Sequence, residues 1–330
     1  MMKWIKSSNA LFSSMVVTGA FAAALPLTVQ AAYPDRAVTI MVGYGAGGGA
    51  DLLARLYAEK LAAKLNQTFI VENKPGAGAT LAASAVAHSK PDGYTLMVAP
   101  TAVFTITPNV RRTNYAPLKD FTPIATLATG LDIITSSQTI PAKNLGEFIV
   151  LAKANPGKYS FASSGLATST HFTGEMFKEA AGIDILHVPY KSSNDYLPDL
   201  IQGRVSIAFD PVLLNQVNAG KLNLLGIAQD EPLEGYPEVQ TSKQAGIDMS
   251  PAYERIWYGI VGPADMPADV VATLSEAIKE VSADPAIAQR LEATGIRPDV
   301  VTGEDFARKM RDDSDYYKNL IQRLNIQLEN

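Results

Sequence analysis

The chain has no cysteine. That excludes disulfides, thiolate metal sites, a cysteine nucleophile and a lipid anchor attached through cysteine. Histidine is almost as scarce, with only His88, His171 and His187 among 330 residues, too few for a His-rich metal centre. No G-x-S-x-G nucleophile elbow occurs either. Charged residues are few, 18%, and positive charge is the scarcer sign, 28 Lys and Arg against 33 Asp and Glu, for a net charge of −5. That balance argues against nucleic acid and anionic membrane as partners. It also means that an anionic ligand must be captured by local geometry, against the overall field. Apolar content of 47% describes an ordinary globular protein. After residue 32 no segment is long and apolar enough to span a bilayer.

Residues 1–31 read as a secretory signal peptide. Lys3 and Lys6 stand without an acid, an apolar run follows from Leu11 to Leu27, and small residues sit at Val29 and Ala31. Ser13, Ser14, Thr18 and Pro26 interrupt the run and make it a poor permanent anchor. Export into an envelope space, the periplasm, is the expectation, with a soluble mature chain cleaved after Ala31. The remaining length suffices for a large core and two domains.

Strand-like and helical runs then alternate. AVTIMV (37–42) leads into a helix over Ala50–Leu65, TFIVEN (68–73) into one near Thr80–Ser89, and YTLMVAP (94–100) ends in a polar turn. This spacing indicates βαβ units and a parallel sheet. After Phe121-Thr122-Pro123-Ile124 the pattern restarts: LDIITS (131–136), a helix over Leu145–Asn155, YSFASSG (159–165), a helix from Thr170 to Ala181, ILHVPY (185–190), Tyr196–Gln202, VSIAFD (205–210) and LNLLGIAQ (222–229). Residues 232–251 read as surface connection, and helices are expected over Asp269–Ala283, Pro285–Thr294 and Gly303–Leu328. No internal repeat is visible. Two α/β halves joined by crossovers predict a two-lobed body with a ligand cleft between them. The expected division is lobe 1 at 32–130 plus 251–330 and lobe 2 at 131–250.

Four polar loops follow strands: Tyr44–Asp51, Glu72–Thr80, Ala162–Thr170 and Phe209-Asp210-Pro211. Free amides at a helix N-terminus beside glycines suit an anion. The first loop also contains a literal G-x-G-x-x-G at Gly43, Gly45 and Gly48, with Glu72 closing the next strand where a ribose-binding acid would sit. A secreted nucleotide-cofactor oxidoreductase is therefore the alternative reading. It is disfavoured because an exported protein must find its cofactor outside the cytoplasm, and the leader lacks the paired arginines of folded-protein export. No cofactor, metal or catalytic residue is expected. His171 and Glu175 lie one helical turn apart, where a metal pair competes with a capping or core-edge histidine. His187 in its apolar run reads as buried. Nothing in the sequence brings Asp51 and Asp210 together as a carboxylate pair. Arg255 and Trp257 suit packing between lobes better than cleft lining. Tyr44, Phe104 and Phe209 either border the cleft or pack in the cores.

These residues resemble a known family, the extracytoplasmic solute receptors of tripartite tricarboxylate transporters, also called the Bordetella uptake gene (Bug) family. The matching runs are Tyr33-Pro34, GAGGGAD with Arg55, VENKPGAGAT, PDGYTLMVAPT, DFTPIATL, NPGKYSFASSG with His171, HVPYKSSNDYLPDLIQGRVSIAFD and WYGIVGPADMP. The resemblance implies an α/β, type II-like periplasmic-binding-protein fold, each lobe a mixed, mostly parallel sheet flanked by helices. It implies a monomeric receptor, not an enzyme, that closes on a small organic carboxylate (a di- or tricarboxylate or an aromatic acid) and delivers it to membrane permease subunits. A ligand sensor for a membrane kinase is the other role open to such a receptor. Residue by residue, the resemblance assigns ligand binding to Tyr44, Ala46, Gly47, Gly48 and Asp51, and to Gly76, Ala77 and Gly78. In the second lobe it assigns Ser164, Gly165, Thr168, Ser169, Thr170, His171 and Asp210. Ala79 and Ala167 stand where the family often has glycine, and Ser192 where glycine is usual.

Overall fold

The computed structural model describes residues 1, 2, 4, 33–130, 133–233, 235–249, 252, 255–292 and 294–324. Most of the expected leader, the strand start at Leu131-Asp132, the lobe boundary at 250–251 and the end of the last expected helix lie outside the described residues. Residues from Tyr33 onward form one compact unit.

Two sheets organise that unit. Numbered along the chain, the strands of the first are β1 (Val38–Val42), β2 (Phe69–Asn73), β3 (Thr95–Pro100), β4 (Phe121–Gly130), β10 (Trp257–Pro263) and β11 (Ile296–Pro298). The second holds β5 (Ile133–Ser137), β6 (Ser160–Ser163), β7 (Leu186–Pro189), β8 (Ile207–Phe209) and β9 (Leu222–Ile227). The orders are β11-β4-β10-β3-β1-β2 and β7-β6-β8-β5-β9. One plan underlies both. β5 is the first strand reached on leaving the first sheet, and β10 the first on returning to it. Each arrives antiparallel and inserts beside the third strand of its sheet: β5 between β8 and β9, β10 between β3 and β4. The strands that pair as βαβ units stay parallel. The two-lobed, mixed and mostly parallel architecture is thus observed, and the topology repeats where the sequence shows no repeat.

The helices form because apolar side chains recur at helical spacing. Leu53, Tyr57 and Leu61 face the first core from the helix Gly49–Leu65, which ends at Asn66 in the left-handed conformation, φ 51°. Sequence reading missed β4 because Pro123 lies inside it, and a proline usually marks a strand edge. Its neighbour β10 is buried at every position and shows no alternation of apolar and polar residues.

Each sheet is covered by helices on both faces. The helix Gly303–Arg323 is shared. Its Phe306 and Met310 belong to a core of the first sheet, whereas Tyr317, Leu320 and Ile321 belong to a core of the second. In the second sheet, Gly174 lets the helix Ser169–Ala181 lie directly on β6, since a Cβ there would stand 2.1 Å from the Phe161 ring. Gly174→Ala is expected to cost about 1–3 kcal/mol by overpacking. It should lower the urea midpoint with an unchanged slope, and an unchanged midpoint would show that the ring moves aside at no cost.

Candidate functional site

Strand order places the site. In the first sheet the order reverses between β1 and β3, and in the second between β6 and β8, and loops leaving such points open a crevice. A small cavity, of about 500 Å³ when the open mouth is included, lies there. The loop after β1 lines it with Tyr44, Gly45, Gly48, Gly49 and Ala50, joined by Pro100 and Tyr258. From the second sheet come Ser164, Thr168, Ser169 and Thr170 after β6, Ser192 and Ser193 after β7, and Asp210 after β8.

Three helix N-termini therefore converge on one space: Gly49–Leu65, Ser169–Ala181 and Ser193–Ile201. Gly48 and Ser192, at the N-caps of the first and third, make no side-chain cap bond. Free amides and the positive ends of helix dipoles favour an anion, each by roughly 0.3–1 kcal/mol. Among the described residues no lysine or arginine lines the cavity. The Ser169 hydroxyl oxygen is buried without a hydrogen-bond partner. Buried polar atoms normally have partners, so this oxygen is available to a ligand.

Asp210 is the one carboxylate in the lining. It accepts hydrogen bonds from the Ser193 and Tyr196 hydroxyls and the Val212 amide. Burial raises it above the usual carboxylate range, against the lowering effect of those three donors. Its bonds to Ser193 and Tyr196 fix the start of the helix Ser193–Ile201. Asp51 does comparable work outside the cavity. It accepts from the Gly47 amide at 2.9 Å, Arg55 Nε at 3.0 Å and Asn73 Nδ2 at 2.8 Å. Burial would raise its pKa, but those hydrogen bonds and the Arg55 charge hold it below the carboxylate norm. The loop it braces meets the second lobe where Asn194 Nδ2 donates to the Ala46 carbonyl at 2.7 Å. Gly47, at φ 88°, permits that approach, because a Cβ would stand 2.5 Å from Asn194 Nδ2.

Of the residues singled out from sequence, Tyr44, Gly48, Ser164, Thr168, Ser169, Thr170 and Asp210 meet at the cavity. Ala46, Gly47, Asp51, Gly76, Ala77, Gly78, Gly165 and His171 are not in its lining. Ala46 and Gly47 shape the mouth, and Gly165 accepts from Ser163 and Thr168. The loop Gly76–Gly78 lies instead against the Leu81 side chain and the Leu166 carbonyl. Asp51 and Asp210 form no pair. Phe104 stacks on Trp257, and Phe209 packs against Phe161 and Phe177, so both are core residues. Trp257 Nε1 donates to Asp313 at 2.7 Å, which agrees with packing. Sequence reading missed Ser193 and Tyr258. Ser193 begins a helix, as Gly49 does, and that position was the available signal. Tyr258 lies in a fully buried strand and gave none. The antiparallel insertions in both sheets depart from the parallel dinucleotide-binding order.

The chain matches a family model described as the tripartite tricarboxylate transporter family receptor over residues 53–326. It is 32% identical to a UPF0065 protein of Bordetella pertussis, covering 89% of this chain and 91% of that one. Among solved structures, one described as a periplasmic transporter superimposes with TM-score 0.86 at 35% identity, covering 90% of this chain and all (100%) of the other. An R. palustris protein with adipate gives 0.84 at 27% identity, covering 89% and 99%. MatC of Rhodopseudomonas palustris with bound malate gives 0.78 at 27% identity, covering 88% and 100%.

Behind the second-lobe loop lie His171 and His187, stacked with ring centroids 4.0 Å apart. The Ala167 amide donates to His171 Nδ1, and Ser163 Oγ pairs with His187 Nε2 at 2.6 Å. Burial, the neighbouring His187 and Lys178 depress His171 to about 3, and burial and Lys178 depress His187 to about 4. Both stay neutral when folded, whereas an unfolded chain protonates them near pH 6.5. As pH falls from about 6.5 toward 4 the unfolded state binds more protons, so stability is lost over that window. Each of these two histidines is expected to contribute a drop on the order of 2 kcal/mol between pH 7 and pH 5, and the pair about 4 kcal/mol. His187→Gln should shrink that drop in urea titrations at the two pH values, and an equal drop in the variant would assign it to other groups.

Proposed function

The chain belongs to the tripartite tricarboxylate transporter receptor family, and on that premise we propose that it is a periplasmic receptor for a small organic carboxylate. It takes the ligand between its lobes, closes on it and delivers it to the membrane permease subunits. The observation that carries this reading is the convergence of three helix N-termini on a cavity lined by no cation. Amides and hydroxyls then hold a carboxylate in a protein whose net charge repels it. Structures of relatives at 27% identity with adipate and with malate support that ligand class.

In this reading the ligand touches Tyr44, Gly48, Gly49 and Ala50 from lobe 1, taken as 32–130 with 251–330, and Ser164, Thr168, Ser169, Thr170 and Ser193 from lobe 2, taken as 131–250. Asp51, Gly47 and Ala46 hold the first loop in place, and His171 braces the third. Asp210 orients the helix that presents Ser193. The protein works as a monomer, carries no cofactor and performs no chemistry on its ligand. Its N-terminal segment is a leader removed on export.

Thermal melts against mono-, di- and tricarboxylates, terephthalate included, test this function. A bound ligand is expected to add about 2.7 kcal/mol of stability at a hundredfold excess over its dissociation constant. No shift with any carboxylate, together with a shift with NAD or FAD, would falsify the receptor reading. Gly48→Val narrows the test. Gly48 has φ −80°, and its nearest neighbour to an added Cβ is the Gly45 carbonyl at 3.9 Å, so valine fits the fold. The variant should melt near the parent without ligand and lose the ligand-dependent gain. A retained gain would move the carboxylate away from this helix start.

A further inference from the structure

The second glycine loop looks like a ligand loop in sequence, yet it borders no part of the cavity. Its backbone is strained. Four successive residues, Gly76, Ala77, Gly78 and Ala79, have φ of 143°, 49°, 65° and 72°, and two of them are alanines in a region that L side chains rarely adopt. Such strain persists where surrounding contacts hold it, and it clusters at functional segments. Here Arg111 Nη1 donates to the Ala77 carbonyl, as does Thr80 Oγ1. Leu81 folds back so that a Cβ on Gly76 would stand 2.6 Å from its Cδ1.

The turn also marks where the lobes meet. A Cβ on Gly78 would lie 3.5 Å from the Leu166 carbonyl of the second sheet's loop. Beside it, Thr107 Oγ1 donates to the Ala167 carbonyl at 3.2 Å. Leu81 and Leu166 are 52% and 41% exposed. A surface groove adjoins the turn, bordered by Lys74, Leu81, Ser84, Arg112 and Asn114, and no acid lines it. Several other exposed arginines are neutralised by carboxylates, as at Arg36, Arg204, Arg308 and Arg323. Among the described residues Arg111, Arg112 and Lys74 carry no such ion pair. An unpaired cationic groove with flanking leucines, on a chain of net charge −5, is complementary to an acidic partner.

We propose that the face formed by Lys74, Leu81, Arg111, Arg112 and Leu166 docks the membrane permease, through an extramembrane segment that presents carboxylates beside aliphatic side chains. The proposal rests on the receptor reading above. Leu166 comes from the loop after β6 and the other four residues from the first sheet's side, so the face is continuous only when the lobes are closed. The partner thereby distinguishes a loaded receptor from an empty one.

The test uses a strain lacking the gene, complemented with the full chain or a variant, and radiolabelled malate, adipate or terephthalate, whichever shifts the melt of the purified protein. Arg112→Glu and Ser84→Glu are expected to cut uptake about tenfold or more. The same purified variants should keep the dissociation constant for that carboxylate within about twofold and melt like the parent, and Arg112→Lys should retain uptake. Unchanged uptake in both acidic variants overturns the docking face. So does a loss of carboxylate affinity that parallels the loss of uptake, which would place the groove in ligand capture. A parent chain that binds none of the three carboxylates and supports no uptake defeats the receptor reading itself, and the two failures are thus told apart.

Discussion

The free amide ends of three helices, aimed at one enclosed space, are the constraint on which the rest of the molecule depends. A helix N-terminus buried without partners is unfavourable. The chain leaves two of these three without a side-chain cap and surrounds them with glycines and small hydroxyl residues. Water or a ligand oxygen must complete them. Helix dipoles and oriented amides act at short range and survive a net negative surface, so binding needs no basic side chain. Because they are fixed by the backbone, their aim depends on the packing behind each helix. For the first helix that packing is the Asp51–Asn73–Arg55 network. For the third it is the pair of hydroxyl bonds to Asp210.

Topology sets where those helices point. In each sheet the crossover strand arrives antiparallel and occupies the place beside the third strand, which leaves the order reversal facing the opposite lobe. The loop after β2 does not reach the cavity, whereas the loop after β7, the equivalent edge strand of the second sheet, reaches it through Ser192 and Ser193. Loops with nearly the same composition thus end in different surroundings. Neither glycine content nor place in the sheet decides alone which of them meets the cavity, since β2 and β7 are both edge strands.

Most of the fold was legible in the sequence, for a physical reason. The helix Gly49–Leu65, the strands flanking it and the restart near Ile133 show clear periodicity bounded by turn residues. One strand that sequence reading missed, β4, carries Pro123 and displays no alternating pattern, whereas the stretch leading to Gly259 in β10 reads as strand-like although the strand is buried throughout. At the site, residues next to a strand–glycine–helix junction were readable, as with Gly48 and Thr168. Tyr258 and Ser193 reach the cavity through tertiary packing alone, and Gly76–Gly78 misled because a local signal carries no information about tertiary placement. Ala79 and Ala167, where the family often has glycine, do adopt glycine's conformation, with φ of 72° and 62°. The sequence difference therefore reports a strain, not a changed backbone.

The helix Gly303–Arg323 has a consequence for how the molecule comes apart. One end is cemented into the core beneath β10 by Phe306 and Met310, and the other into the core beneath β6 by Tyr317, Leu320 and Ile321. Neither lobe can expose its interior without tearing this helix from the other. Among the described residues this helix thereby joins a core of the first sheet to a core of the second, which couples their unfolding. A rigid separation of the two cores would have to bend this helix between Met310 and Tyr317, where its side chains pass from one core to the other.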